Sequence, residues 1–176
     1  MRGARLKNRA SEAVLILPLT SAPAKISDQG SSGLWGRGDS LKRKVFALVV
    51  HERPEPCQAL KSVLRRLRVD TFSVGSCAEA ALLLEQTHPH LIFTDTQLPD
   101  GTWPDVMNFA EKAAAPVCPI LVGPSKDPEL FQAALNYGAF DYISPPFDAE
   151  AVSLLLAQAM TMVRTRREHH SSAAAA

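Results

Sequence analysis

The stretch Leu91-Ile-Phe-Thr-Asp-Thr-Gln-Leu-Pro-Asp-Gly101 joins a continuous apolar run to an acidic turn. A run without polar alternation is typical of a strand that is buried on both faces of a sheet. The proline, aspartate and glycine in the second half indicate a turn. The stretch therefore predicts a buried strand that carries a carboxylate, Asp95, at its carboxyl end.

Four other segments have the features of a strand. Continuous apolar runs occupy 45–50 and 119–122, and shorter candidates occupy 71–74 and 140–143. Apolar residues at helical spacing fill the segments between these strands and the segment after the last one. This strict alternation predicts an α/β fold in which helices cover both faces of a parallel sheet. Five such units fit a flavodoxin-like, doubly wound (βα)5 sheet with the strand order 2-1-3-4-5.

Several helix boundaries are also marked. Ser76 and Glu79 have the spacing of a capping box, in which a hydroxyl and a carboxylate satisfy free backbone N–H groups. Asp127 before a proline predicts the start of the fourth helix, and Gly138 predicts its end. The fifth helix is expected to run out at the basic residues around Arg166.

The two ends of the chain lack the pattern of a folded domain. We expect a disordered leader over 1–43, a single domain over 44–166 and a disordered tail over 167–176. Basic residues followed by the apolar run 13–19 are also similar to a short secretory signal, but Pro18 interrupts that run. No segment has the length expected of a membrane span.

The composition argues against several classes of protein. The 19 Lys and Arg residues against 18 Asp and Glu leave a formal charge of +1, which gives no general field for nucleic acid. The arginines on the first and fifth helices are interpreted as solvated faces. Three widely spaced cysteines without a CxxC pair fit neither a disulfide framework nor a zinc site. We therefore expect reduced thiols in a cytoplasmic protein.

The predicted topology brings two acidic turns together. The first strand ends in His51-Glu52 and the third ends in Asp95, and these two strands are neighbours in the order 2-1-3-4-5. A carboxylate beside a second acidic residue can hold a divalent cation, which neutralises a phosphoryl group arriving on the first carboxylate. This is the minimal equipment for an aspartyl phosphate, with Asp95 as the nucleophile. The plainer alternative is that Asp95 only caps the following turn.

The segment 44–166 resembles the receiver domain of the response regulators of two-component signalling. The resemblance is carried by Asp95 with Leu98-Pro-Asp-Gly101 behind it, by Tyr137-Gly-Ala-Phe-Asp-Tyr142, and by Pro146-Phe147. It implies that Asp95 accepts phosphate from a sensor histidine kinase or a phosphotransfer protein.

The resemblance also assigns roles to neighbouring residues. It implies that Mg²⁺ is held by Glu52, Asp95 and the main-chain carbonyl of Gln97. Tyr142 falls where the family carries an aromatic side chain that turns inward on activation. The alternative is that Tyr142 is only a half-buried strand residue.

Three positions depart from the family pattern. His51 stands where the family has a second acidic residue, Gly123 where it has a hydroxyl that binds the phosphoryl group, and Pro145 where it has a lysine. Loss of one donor aimed at developing charge costs about a hundredfold in rate or more, so phosphorylation is expected to be slow. A protonated His51 could replace some of the lost positive charge, although a hydrogen-bonded loop histidine is the simpler interpretation. The family's cis peptide bond corresponds to Pro145–Pro146.

Two functions remain open, and a third is not favoured. The first is a single-domain response-regulator-like protein in a phosphorelay, whose output is a partner protein bound by the fourth helix, fifth strand and fifth helix. The second is a phosphorylation-independent pseudo-receiver that works as an interaction module, which Gly123 and Pro145 favour. An enzyme is not expected, because the sequence has no glycine-rich phosphate loop, no GxSxG motif and no Cys/His pair.

Overall fold

The structure is a computed structural model that describes residues 44–174, and the predicted leader over 1–43 lies outside them. This part of the chain alternates strands with helices in the predicted way. The strands are β1 (Phe46–Val50), β2 (Asp70–Val74), β3 (Leu91–Asp95), β4 (Gln97–Leu98), β5 (Gly101–Thr102), β6 (Cys118–Val122) and β7 (Asp141–Ile143). The helices are α1 (Cys57–Arg66), α2 (Cys77–Thr87), α3 (Trp103–Lys112), α4 (Pro128–Asn136) and α5 (Ala149–Ala174).

Five strands form one parallel sheet in the order β2-β1-β3-β6-β7. Because β6 and β7 are the fourth and fifth strands of this sheet, the predicted flavodoxin-like order is confirmed. The short strands β4 and β5 form a separate antiparallel pair in the turn after Asp95, which the sequence reading did not predict.

Both faces of the sheet are covered. Ala47, Val49 and Phe93 point into a core shared with α1 and α5, whereas Leu48 and Ile92 point into a core shared with α2 and α3. All five side chains are fully buried, as expected for strands without polar alternation. The continuous apolar runs therefore do mark the central strands, which fix the carboxyl edge of the sheet in a rigid frame.

The helix starts follow the predicted residues with one adjustment. Ser76 Oγ accepts from the Glu79 N–H at 3.2 Å, but the Glu79 carboxylate accepts from Gly75 N at 2.9 Å instead of closing the capping box on Ser76. Asp127 caps α4 as predicted, with the N–H groups of Glu129 and Leu130 both 3.0 Å from Oδ1.

The fifth helix is longer than predicted. It continues past Arg166 to Ala174, so the expected irregular tail from residue 167 is wrong as far as Ala174. The Arg167 guanidinium holds this segment against the body of the domain, donating to the carbonyls of Pro116 at 2.9 Å, His88 at 3.0 Å and Pro89 at 2.6 Å. Alanine also has the highest helix propensity, which favours helix at the end of α5. Among residues 44–174, no helix is both long and apolar enough to span a membrane.

Candidate functional site

Asp95 lies at the carboxyl end of β3 with only 8% of its surface exposed. Its Oδ1 accepts hydrogen bonds from Thr96 N at 2.6 Å and from Thr96 Oγ1 at 3.3 Å. Its Oδ2 makes no hydrogen bond to the described part of the chain. One carboxylate oxygen is therefore held in place while the other remains free to react or to bind a cation.

His51 stands beside Asp95 at the same edge. Val50 pairs with Thr94, so the residues that follow, His51 and Asp95, lie next to each other in register. Nδ1 of His51 is 2.8 Å from the carbonyl oxygen of Arg53. Because a carbonyl only accepts, Nδ1 carries the hydrogen. Nε2 is buried and has no hydrogen-bond partner within residues 44–174.

The three groups predicted to bind a metal are all oxygen donors, which is the donor type that magnesium prefers. Glu52 is exposed on the loop after β1, Asp95 ends β3, and Gln97 begins β4 two residues later. No group of three His, Cys, Asp or Glu side chains suited to a metal occurs between residues 44 and 174. Mg²⁺ is bound by few protein oxygens and keeps several waters. Two carboxylates and a carbonyl therefore fit this ion in donor type.

Gly123 and Tyr142 occupy one space on the other side of the site. Gly123 follows Val122, the register partner of Asp95, and its N–H donates to the Ile143 carbonyl at 2.9 Å. A Cβ at position 123 would overlap the hydroxyl oxygen of Tyr142 and lie 2.6 Å from its Cε2. The Tyr142 hydroxyl donates to the carbonyl oxygen of Ser125. Burial raises the pKa of Tyr142, and the negative charge of Asp127 adds to that shift.

Pro145 lies in the half-buried loop after β7 and brings no charge to the site. The bond between Pro145 and Pro146 is cis, as the sequence suggested, and a second cis bond lies between Glu55 and Pro56. The position that corresponds to the family's lysine is therefore filled by a ring.

Two polar residues around the site were given no individual role from the sequence. Thr96 holds Asp95, and Asp100 caps α2 by accepting from the N–H of Cys77 at 2.7 Å and of Ala78 at 2.9 Å. These backbone hydrogen bonds, led by that of Ala78, lower the pKa of Asp100. The second carboxylate of the acidic turn is thus the N-terminal cap of α2. The sequence did not indicate this role because Asp100 lies far from α2 along the chain.

The three cysteines are free and buried, as expected. Burial raises the pKa of the Cys57 thiol to about 12, and the negative charge of Asp95 contributes to the increase. Cys57 is therefore a protonated, apolar neighbour of the site.

A cavity of about 510 Å³ opens between α4, β7 and α5. Its apolar walls include Phe131, Tyr142, Phe147 and Leu155. Tyr142 thus contacts the site through Gly123 on one side and lines this cavity on the other.

Comparison with known proteins identifies the family. The model of the response regulator receiver domain matches residues 47–157, which is more than half of the chain. The response regulator protein PilR of Pseudomonas aeruginosa is 32% identical over 66% of this chain and 26% of its own length. The sensory transduction protein LytT of Bacillus cereus is 30% identical over 69% of this chain and 51% of its own length. This chain therefore spans about a quarter to a half of these relatives.

Solved structures agree in fold. The signal receiver domain of an HD domain-containing protein from Pseudomonas fluorescens Pf-5 superposes with a TM-score of 0.65 at 24% identity, covering 74% of this chain and 96% of that domain. The receiver domain of the sensor histidine kinase PA1611 from Pseudomonas aeruginosa, with magnesium in its active-site cleft, gives 0.60 at 18% identity, covering 67% and 98%. The residue pattern, the sheet order and the family match lead to one conclusion: the chain belongs to the response-regulator receiver domain family of two-component signalling.

Proposed function

We propose that Asp95 accepts a phosphoryl group from the phosphohistidine of a sensor kinase or a phosphotransfer protein. The observation that carries this proposal is the state of its carboxylate, in which Thr96 holds Oδ1 and Oδ2 is free. Oδ2 attacks phosphorus and forms the O–P bond, the P–N bond breaks, and the histidine of the donor leaves with the electron pair.

Magnesium is the cofactor of this proposal. Glu52, Asp95 and the carbonyl of Gln97 would hold it, and when bound it neutralises charge on the phosphoryl oxygens. His51 supports the same charge from its place beside Asp95, at the end of the neighbouring strand. Its Nε2 lone pair has no partner within the described residues, and on protonation it becomes a second N–H donor.

Because the family's hydroxyl and lysine are missing, we expect a low rate of phosphorylation at Asp95. Gly123 has no side chain and Pro145 has no N–H, so neither donates a hydrogen bond to the phosphoryl group from a side chain. Since each lost donor costs about a hundredfold or more, phosphorylation is slow. The proposal is thus a receiver with an intact nucleophile and weak electrostatic support.

The output is a protein contact on the face formed by α4, β7 and α5, here called the output face. It combines the apolar cavity of about 510 Å³ with an exposed apolar side chain on its wall, Phe131, which is 37% exposed. Large exposed apolar side chains around a cavity are typical of a protein-binding surface. A partner protein bound on this face is the proposed output of the domain.

A phosphorylation-independent interaction module is the second candidate. The overlap between Tyr142 and the side-chain space of Gly123 favours it, because that space is filled by packing and not by a phosphate-binding group. In this alternative the output face is used and Asp95 only caps its turn.

Intact-mass measurement separates the two candidates. The protein and its Asp95→Asn variant are incubated with Mg²⁺ and acetyl phosphate beside an ordinary receiver domain. We expect the wild type to gain the mass of one phosphoryl group and the isosteric variant to gain none. A wild type that stays unmodified while the ordinary receiver is labelled would exclude the first candidate and leave the second.

A further inference from the structure

Two glycines of this chain are required for different reasons. Gly138 has a φ of +89° and no atom within 4 Å of an added Cβ, so its backbone needs glycine while the space around it does not. Gly123 is the reverse case. Its φ is outside the positive region, but an added Cβ would overlap the hydroxyl and Cζ of Tyr142. The ring of Tyr142 is therefore what demands glycine at position 123.

Tyr142 is held in this place from several directions. Its backbone pairs with Leu121 in the sheet, and its ring packs against the cluster of Met107, Leu121 and Ala134. The hydroxyl at the far end of the ring donates to the Ser125 carbonyl. Both ends of the side chain are thus fixed, and the space above Gly123 is what lets the hydroxyl reach its acceptor.

The position of this pair connects the acidic site to the output face. Gly123 directly follows the register partner of Asp95, and Tyr142 lines the cavity between α4, β7 and α5. A conformational change that passes from Asp95 to the cavity along this route would require a side chain at position 123 that can move. Glycine offers none.

We propose that Gly123 is a positioning residue that keeps the phenol of Tyr142 inside the domain, so that the output face holds one form whether or not Asp95 carries a phosphoryl group. The inference rests on the proposed function only in naming that face as the docking surface. It separates the chemistry at Asp95 from the shape that a partner protein contacts.

Fluorine NMR tests the position of Tyr142 directly. The chain has two tyrosines, so protein labelled with 3-fluorotyrosine gives two signals, which Tyr137→Phe and Tyr142→Phe assign. We expect Gly123→Ala to move the Tyr142 signal toward its position in the unfolded protein and to leave the Tyr137 signal in place. The matched control is Gly75→Ala, whose added Cβ would meet only Glu79 Oε2 at 4.0 Å. A Tyr142 signal that stays in place in Gly123→Ala would overturn the proposal.

The same signal tests independence from Asp95. Wild type treated with Mg²⁺ and acetyl phosphate is divided between intact-mass and NMR measurement. We expect the Tyr142 signal to be unchanged in a sample whose mass shows phosphorylation, and a displaced signal would overturn the inference. If no phosphorylation occurs, the proposed function fails at Asp95, and Gly123→Ala still decides the inference.

A third measurement remains valid if Gly123→Ala does not fold. The Tyr142→Ala background lacks the three atoms that lie nearest to an added Cβ at position 123. We expect Gly123→Ala to lower the urea midpoint of the wild type, up to complete loss of folding, and to leave the midpoint of Tyr142→Ala unchanged. Equal losses in both backgrounds would mean that Gly123 is required for another reason.

Discussion

The two halves of the candidate site differ in what their residues do. The nucleophile half, formed by His51, Glu52 and Asp95, keeps polar groups with unused capacity, namely Asp95 Oδ2 and His51 Nε2. The packed half, formed by Gly123, Tyr142 and Pro145, fills the corresponding space with rings. The nucleophile half lies at the ends of β1 and β3, and the packed half lies at β6 and β7 of the same sheet.

In the proposed function, this edge of the sheet keeps the nucleophile but lacks the side chains that would bind its phosphoryl group. A carboxylate needs only its strand end and one N–H to stay oriented, and Thr96 supplies that N–H. Support for a phosphoryl group needs side chains from the other half. In the proposed function, the nucleophile and the groups that would support its phosphoryl group therefore lie in separate parts of the site.

The largest effect is expected from returning a hydroxyl to the packed half. In the Tyr142→Ala background, Gly123→Ser no longer meets the phenol that lies nearest to its Cβ, and its hydroxyl can donate to the phosphoryl group. We expect acetyl phosphate to label this double variant faster than the matched Gly123→Ala, Tyr142→Ala variant by up to about a hundredfold. The measurement is the rate of mass gain. Equal rates would show that the missing hydroxyl does not limit the reaction.

The sequence was sufficient for the sheet and for the neighbouring positions of His51 and Asp95 at its carboxyl edge. Continuous apolar runs predicted the central strands, and register then placed His51 beside Asp95, since parallel strands that are neighbours end at one edge. These features depend on periodicity and order, which are local in the sequence.

For the packed half, the sequence predicted only that the family's hydroxyl and lysine are missing. The sequence shows a glycine at 123 and a tyrosine at 142, but not that the phenol occupies the glycine's side-chain space. Likewise, the Asp100 cap on α2 and the Arg167 contacts that extend α5 join segments far apart in the chain. Such contacts depend on side-chain direction in the folded state, which composition and spacing do not contain.

A smaller effect is expected at Asp100, which lies in the acidic turn but belongs to the fold and not to the nucleophile half. Its hydrogen bonds to the N–H groups of Ala78 and Cys77 hold its folded-state pKa below the unfolded value of about 3.9. The stability that it contributes is therefore present above pH ~4 and is lost as the pH falls through the folded-state pKa. Asp100→Asn should lower the urea midpoint at neutral pH, by an amount that shrinks in acid, without changing the labelling of Asp95.

The control for Asp100 lies on the same helix. Glu85→Gln removes a charge from an exposed position of α2 whose side chain makes no hydrogen bond or ion pair within residues 44–174, so its urea midpoint at neutral pH should stay near that of the wild type. A loss of labelling in Asp100→Asn would instead assign Asp100 to the nucleophile half.

The smallest effect is expected in the titration of the Tyr142 phenol. Burial of the ring raises its pKa, with a further contribution from Asp127. In Tyr137→Phe protein Tyr142 is the one remaining phenol, and ultraviolet difference spectra should show it ionising at higher pH than in the urea-unfolded chain, near 10. Asp127→Asn retains a good N-cap for α4 and removes only the charge, so the midpoint should fall by less than in Gly123→Ala, which displaces the ring. Ionisation at or below the unfolded value would place the phenol in solvent and remove the contrast between the two halves.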